Sequence, residues 1–153
     1  MSLSDPSLRP FETLALKSGV SLGGLTAAQR ELTLALASRS IGPERGWTER
    51  EVNEALRAAL ARELAFLDID HVELRRWLVD AGLWRRDGFG RDYRRVPPEA
   101  LAAPLREAGA MVDAVDAVHW LPARRAAVVA ERAARRRAWE AGQGDAAGTA
   151  GRG

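Results

Sequence analysis

Arginine is the residue type with the most chemistry to offer in this chain. Of 23 basic residues only Lys17 is a lysine, which leaves 22 arginines against 21 acidic residues and a net charge of +2. The guanidinium is a planar fork that fits phosphates and carboxylates and stacks on rings, so its placement decides what it can hold. Two segments concentrate it. Residues 83–96 carry Arg85, Arg86, Arg91, Arg94 and Arg95 against Asp87 and Asp92, a local charge of +3. Residues 122–140 carry Arg124, Arg125, Arg132, Arg135, Arg136 and Arg137 against Glu131 and Glu140, a local charge of +4. The remainder sums to −5, so a near-neutral total conceals two basic segments on a mildly acidic body. A GC-rich genome raises arginine, alanine and glycine together, but it does not explain this clustering.

Other reactive side chains are sparse. There is no cysteine, which excludes disulfides, thiolate metal sites and thiol nucleophiles. His71 and His119 are the two histidines. His71 lies near Asp68 and Asp70, but Asp70 reads as a helix cap rather than a metal ligand. His119 sits beside Trp120 with no serine and acid to make a nucleophile. Asp87-Gly88-Phe89-Gly90-Arg91 reads as a hairpin turn, because no helix follows to cradle a phosphate. Asp113 and Asp116 read as surface acids. The expectation is a protein that is not an enzyme, with no cofactor and no metal.

The elements that position these residues are marked by local signals. Thr26 with Gln29 three residues later starts a helix, continued by Ala28, Leu32, Ala35 and Leu36 on one apolar face and stopped by Gly42-Pro43. Thr48 with Glu51 starts a second, with Trp47 and Val52 in the staple positions. Asp70 with Glu73 starts a third, with Ile69 and Leu74 as the staple pair and Gly82 as the left-handed stop. The segment 61–70 reads as a linker in which the second helix extends to Ala65. After Gly82 the period changes to two: Leu83 to Arg86 and Arg91 to Val96 read as strands around a turn, closed by Pro97-Pro98. Three helices and a hairpin are the order of a winged helix-turn-helix core, with the hairpin as wing.

Around that core, residues 1–24 read as a partly ordered leader with one short helix near 9–17. Residues 25–96 read as the winged domain. Residues 97–140 form an Ala- and Arg-rich helical extension: one helix from Pro98 or Glu99 to about Val118, interrupted near Pro104 and Gly109, and one from Pro122 to about Ala141. The Gly-rich residues 141–153 read as a disordered tail. No run of 18 apolar residues occurs and the N-terminus lacks a signal-peptide pattern, so the expected location is the cytoplasm.

Three motifs resemble a known family. Gly46-Trp47-Thr48-Glu49-Arg50-Glu51-Val52-Asn53 is similar to its aromatic-Thr-Glu-x-Glu-Val-Asn helix start. Leu74-Arg75-Arg76-Trp77-Leu78-Val79-Asp80-Ala81-Gly82-Leu83 is similar to its Leu-Arg-Arg-x-Leu-Val-Asp-x-Gly-Leu helix. Arg86-Asp87 with Tyr93-Arg94 resembles its closing hairpin. The family is the bacterial domain of unknown function two-zero-eight-seven, found alone or fused to helix-turn-helix regulators. The resemblance covers residues 25–96 and departs from the pattern in 58–70, which is longer and richer in Ala and Leu. It implies a winged-helix-like fold and a regulatory setting, and no activity.

For function the arginines offer two readings. In the first, His71, Arg75 and Arg76 of the third helix face a DNA groove. Arg85, Arg86, Arg91, Arg94 and Arg95 of the wing and Arg124, Arg125, Arg132, Arg135 and Arg136 of the last helix then hold the phosphate backbone. In the second, the charges are solvated faces that keep strand edges apart, and the Ala-rich helices mediate homodimerisation or another protein contact. Glu73, Arg76 and Asp80 share the outer face of the third helix at pairing distance, and a self-neutralised face is a poor groove reader. Arg76 and Asp80 also have a structural reading, in which the Leu-Arg-Arg motif fastens that helix to the second through Glu51 or Glu54. Binding of the last helix to a membrane surface is the weaker idea, since its apolar face has few bulky residues. Trp47, Trp77 and Trp84 form either a small-ligand pocket or ordinary packing; their staple and core positions favour packing.

Overall fold

A computed structural model describes residues 5–87, 89 and 92–150. The elements run α1 (Arg9–Ala15), α2 (Ala27–Ser38), β1 (Trp47–Thr48), α3 (Glu49–Leu60), α4 (His71–Asp80), β2 (Trp84–Arg86), β3 (Asp92–Arg95), α5 (Ala103–Ala114) and α6 (Ala117–Ala150). Short 3-10 turns cover Leu22–Gly24 and Pro98–Ala100. The chain is mainly helical, with α2, α3 and α4 against a small antiparallel sheet, a winged-helix-like core.

The helix starts are built as the spacing predicts. In α2 the Gln29 amide donates to Thr26 Oγ1 at 3.2 Å, and the Thr26 amide donates to Gln29 Oε1 at 3.1 Å. Thr48 and Glu51 repeat this reciprocal pair at α3, at 3.2 and 3.0 Å. At α4 the Glu73 amide donates to Asp70 Oδ1 at 2.8 Å. Each pair satisfies amides that the first turn leaves without helical partners. The end of α4 is equally local. Gly82 takes φ +80°, its amide donates to the Val79 carbonyl, and the Leu83 amide donates to the Leu78 carbonyl. That crossed pair is a Schellman stop, and the buried Leu78 and Leu83 supply its apolar contact.

The sheet has three strands rather than the two of the predicted hairpin. Its order is β1-β3-β2, with Trp47 opposite Tyr93, Arg86 opposite Tyr93 from the other side, Arg85 opposite Arg94, and Trp84 opposite Arg95. Period-2 alternation turns Trp84 and Tyr93 into the core and Arg85 and Arg94 outward. The Trp84 indole donates to the Ser38 carbonyl at 3.2 Å, and that of Trp47 to the Gly42 carbonyl at 3.0 Å. Trp84 is thus core, and Trp47 and Trp77 pack partly buried against it, each with an arginine over its ring.

The second half of α2 is enclosed on every side. Residues 32–38 are all buried, beyond the single apolar stripe the spacing suggests. Its two hydroxyls bond within the helix, Thr33 to the Gln29 carbonyl at 2.8 Å and Ser38 to the Ala35 carbonyl at 2.6 Å. The cover comes from the flanks of the chain. Phe11 and Leu14 of α1, Leu105 and Val112 of α5, and Leu121 of α6 join the same core. The leader is therefore core material. Val20 forms a parallel bridge with Leu67: its amide donates to the Phe66 carbonyl, and its carbonyl accepts from the Asp68 amide. The bridge explains 61–70. Helix α3 stops at Leu60 instead of reaching Ala65, and turns then seat Leu64 and Phe66 in the core.

The C-terminal helices differ from the expected boundaries. Helix α5 starts at Ala103, with Pro104 in its first turn, and passes through Gly109 unbroken. An added Cβ at Gly109 would lie 2.9 Å from Arg39 Nη2, so the glycine admits the guanidinium. Asp116, at φ +50°, turns the chain. Helix α6 then starts at Ala117 rather than at Pro122, which lies inside it, and runs 34 residues, about 50 Å at 1.5 Å per residue. It continues to Ala150, through most of the segment expected to be a disordered tail. Alanine, the best helix former, is frequent enough there to carry Gly142 and Gly144. Among the described residues no helix is long and apolar enough to cross a membrane.

Candidate nucleic-acid interface

The predicted arginines divide into those turned inward and those left on the surface. On the outward face of the hairpin Arg85 and Arg94 are directly opposite each other and exposed. Neither has a salt bridge among the described residues. Like charges in that register destabilise a sheet, so the pair works against the fold. Gly46, without a side chain, leaves room beside it for Asp92 and Arg94. Arg86 is exposed next to Tyr93. Arg95 points the other way: it is half-buried and donates to the Ile41 carbonyl at 3.4 Å. Burial and the nearby Arg39 charge lower its pKa. Arg91 lies outside the described residues.

On α4 Arg75 is taken up by packing. Its side chain is 16% exposed and turned toward α3 and the sheet. It donates to Asn53 Oδ1 at 2.5 Å, pairs with Glu49 Oε1 at 3.3 Å, and lies 5.7 Å from the centre of the Tyr93 ring. Arg75 fastens α4 to α3, and its guanidinium is engaged in that joint rather than left on the outer face of the helix. The fastening expected of the Leu-Arg-Arg motif is thus made by Arg75, to Asn53 and Glu49 rather than to Glu51 or Glu54, which pair with Arg45 and Arg50. Arg45 donates to Glu51, whose carboxylate also accepts the Thr48 amide, and its pKa falls to about 2. His71 stays half-exposed, its Nε2 at 3.4 Å from Arg57 Nη2.

Arg76 is exposed and makes no salt bridge with Glu73 or Asp80 among the described residues. The expected self-pairing of the outer face does not form. Arg76 and Arg86 instead line a groove of about 170 Å³ between α4 and the hairpin, with Arg75, Asp80 and Tyr93. The Tyr93 hydroxyl is buried and has no hydrogen-bond partner among the described residues.

On α6 the division repeats. Arg124 donates to Glu12 at 3.0 Å and to Glu131 at 3.2 Å. Arg125 donates to the carbonyls of Ala15 at 3.2 Å and Lys17 at 2.5 Å, and sits 5.9 Å from the Phe66 ring centre. These two bind α6 to the leader. Arg132, Arg135 and Arg136 are exposed. At about 100° per residue they share one stripe with the exposed Val129 and Trp139. Sequence reasoning missed that arginine–tryptophan stripe, although the three-, six- and seven-residue spacings from Val129 display it. It also missed that Asp113 pairs with Arg39 and Asp116 with His119.

Comparison with curated proteins and with solved structures gives no match. The capped helices, the Arg75 fastening and the hairpin all fall within one stretch that does match a family. Residues 26–95 fit the model described as an uncharacterized protein conserved in bacteria, DUF2087, and in this stretch the chain is similar to that family.

Proposed function

We propose that the chain is a non-catalytic nucleic-acid-binding protein, a transcriptional regulator or an accessory to one, that grips the phosphate backbone of duplex DNA. The observation that carries this reading is the opposed Arg85–Arg94 pair, held outward without a carboxylate salt bridge among the described residues. Phosphates placed over it relieve the repulsion and accept charge-assisted bonds. Arg76 and Arg86 extend the contact toward α4. The Arg132, Arg135 and Arg136 stripe supplies a second backbone contact, with Trp139 able to stack on an exposed base.

Fluorescence anisotropy with generic duplex DNA at low and high salt tests the reading. Each phosphate contact contributes about −0.9 to the slope of log affinity against log salt. The Arg85→Gln, Arg94→Gln double variant is expected to flatten that slope by about 1.8. Absence of binding at low salt refutes the proposal.

A second reading rests on the same helix. Val129 and Trp139 are each 66% exposed on α6, as apolar anchors for a partner helix would be. It makes the chain a dimerisation or protein-interaction module that binds no DNA. It expects a dimer by light scattering that Trp139→Glu converts to a monomer.

A further inference from the structure

A cavity of about 200 Å³ lies where α2, the base of the hairpin and α5 meet. It is separate from the outward Arg85–Arg94 face, because the lining residue Arg95 alternates to the core side of β3. Its apolar wall includes Leu83, Val96 and Leu101. Its polar wall holds Arg39, Arg95 and Arg106 against one carboxylate, Asp113.

That carboxylate is already committed. Asp113 receives two bonds from Arg39, at 3.0 and 2.8 Å. Arg39 further donates to Ser38 Oγ at 3.0 Å and to the Gly109 carbonyl at 3.3 Å. Arg39 and Asp113 therefore satisfy each other, and Asp113 has a lowered pKa because of that bond. The other two guanidiniums are left short. Arg95 has one long bond, 3.4 Å to the Ile41 carbonyl, and Arg106 one of 3.4 Å to the Leu101 carbonyl. Neither makes a salt bridge among the described residues. Arg95 is half-buried and feels the charges of Asp113 and Glu44 without an ion pair to either, and Arg106 is exposed; a guanidinium fork so placed is met best by a carboxylate or phosphate.

We propose that this cavity is a binding site for a small organic carboxylate, its anionic end shared by Arg95 and Arg106 and its hydrocarbon end against Leu83, Val96 and Leu101. The size agrees: at ~30 Å³ per water, the space holds roughly seven water-sized groups. An inorganic oxyanion satisfies the arginines but leaves the apolar wall bare, so the two ligand sources separate by affinity. The bound anion joins β3 to α5 and so ties the wing to the C-terminal helices.

The test is a thermal-shift titration of the full chain with butyrate, succinate, acetate and inorganic phosphate at matched ionic strength. At ten times its Kd a probe multiplies the folding equilibrium constant by about eleven. The expected result is saturable stabilisation by butyrate or succinate, at lower concentration than by acetate or phosphate. Arg106→Gln is expected to weaken it by about tenfold or more, as for loss of a charge-assisted bond. Arg106 is exposed, so its variant keeps the test valid should Arg95→Gln fail to fold. Arg50→Gln, on the exposed side of α3, keeps full binding. No saturable effect of the organic acids, an equal effect in Arg106→Gln, or phosphate binding as tightly as butyrate overturns the proposal.

Discussion

Replacing Arg75 with methionine keeps most of the side-chain volume on α4 and removes the charge. Three contacts are lost together: the bond to Asn53, the pair with Glu49 and the placement near the Tyr93 ring. The bond to Asn53 is charge-assisted and half-buried, and such bonds contribute about 1.5–3 kcal/mol. Glu49 is 51% exposed, so its pair adds only about 0–1 kcal/mol. The methionine stem recovers part of the packing, which places the net loss near 2 kcal/mol. For a chain of this length each kcal/mol moves Tm by roughly 2–4 °C, so a fall of about 4–8 °C is expected. Differential scanning calorimetry measures it. The double variant with Asn53→Ala should show coupling of about 0.5–3 kcal/mol, since the two side chains share one bond. If Arg75 instead projects into a DNA groove, Arg75→Met leaves Tm unchanged and weakens DNA binding. That pair of results refutes the inward assignment.

Four further outcomes follow from named residues. Gly82→Ala forces a Cβ onto φ +80° with no neighbouring atom in the way, so it costs the backbone term alone, about 1–2 kcal/mol by denaturant unfolding. Tyr93→Phe removes a buried hydroxyl without a partner among the described residues, so stability is expected to hold or rise; a loss above about 1 kcal/mol by the same assay shows that the hydroxyl is bonded. Glu51 has a folded pKa lowered from 4.5 to about 2 by Arg45 and the Thr48 amide. Its stabilisation is therefore fully present above pH 4.5 and is lost as pH falls toward 2, and Tm measured against pH should lose that component in Glu51→Gln. Deleting residues 141–153 should leave Tm unchanged, because 141–145 are exposed on α6 and the core ends before them.

What was legible in the sequence is what is decided within one turn of chain. Thr26 with Gln29, Thr48 with Glu51, Asp70 with Glu73, and Gly82 with its flanking leucines each act on neighbours three to five residues away, and all four mark their boundaries. What was illegible depends on distant partners. A helical wheel places Arg75 on the flank of α4, but only tertiary packing brings Asn53, 22 positions earlier, against it. Strand β1 is two residues long, and its pairing with β3 spans more than forty positions, so Trp47 registers locally only as a staple. Phe11 and Leu14 look like isolated apolar residues in a leader until α6 folds back over them. For the candidate interface, the charge clusters were visible, but not their division. Composition cannot tell that Arg124 and Arg125 are spent on carbonyls and carboxylates while Arg132 and Arg94 are not.

The enclosure of α2 sets a limit on the modularity of the winged segment. A segment cut at residues 26–95 needs another cover for residues 32–38. Here that cover comes from both ends of the chain, with α1 and α5 outside residues 26–95. An isolated 26–95 fragment opens the middle of the hydrophobic core rather than trimming its rim. In this chain the matched segment is smaller than the folding unit, and any fusion that transplants it has to rebuild the missing walls before the wing has a frame to stand on.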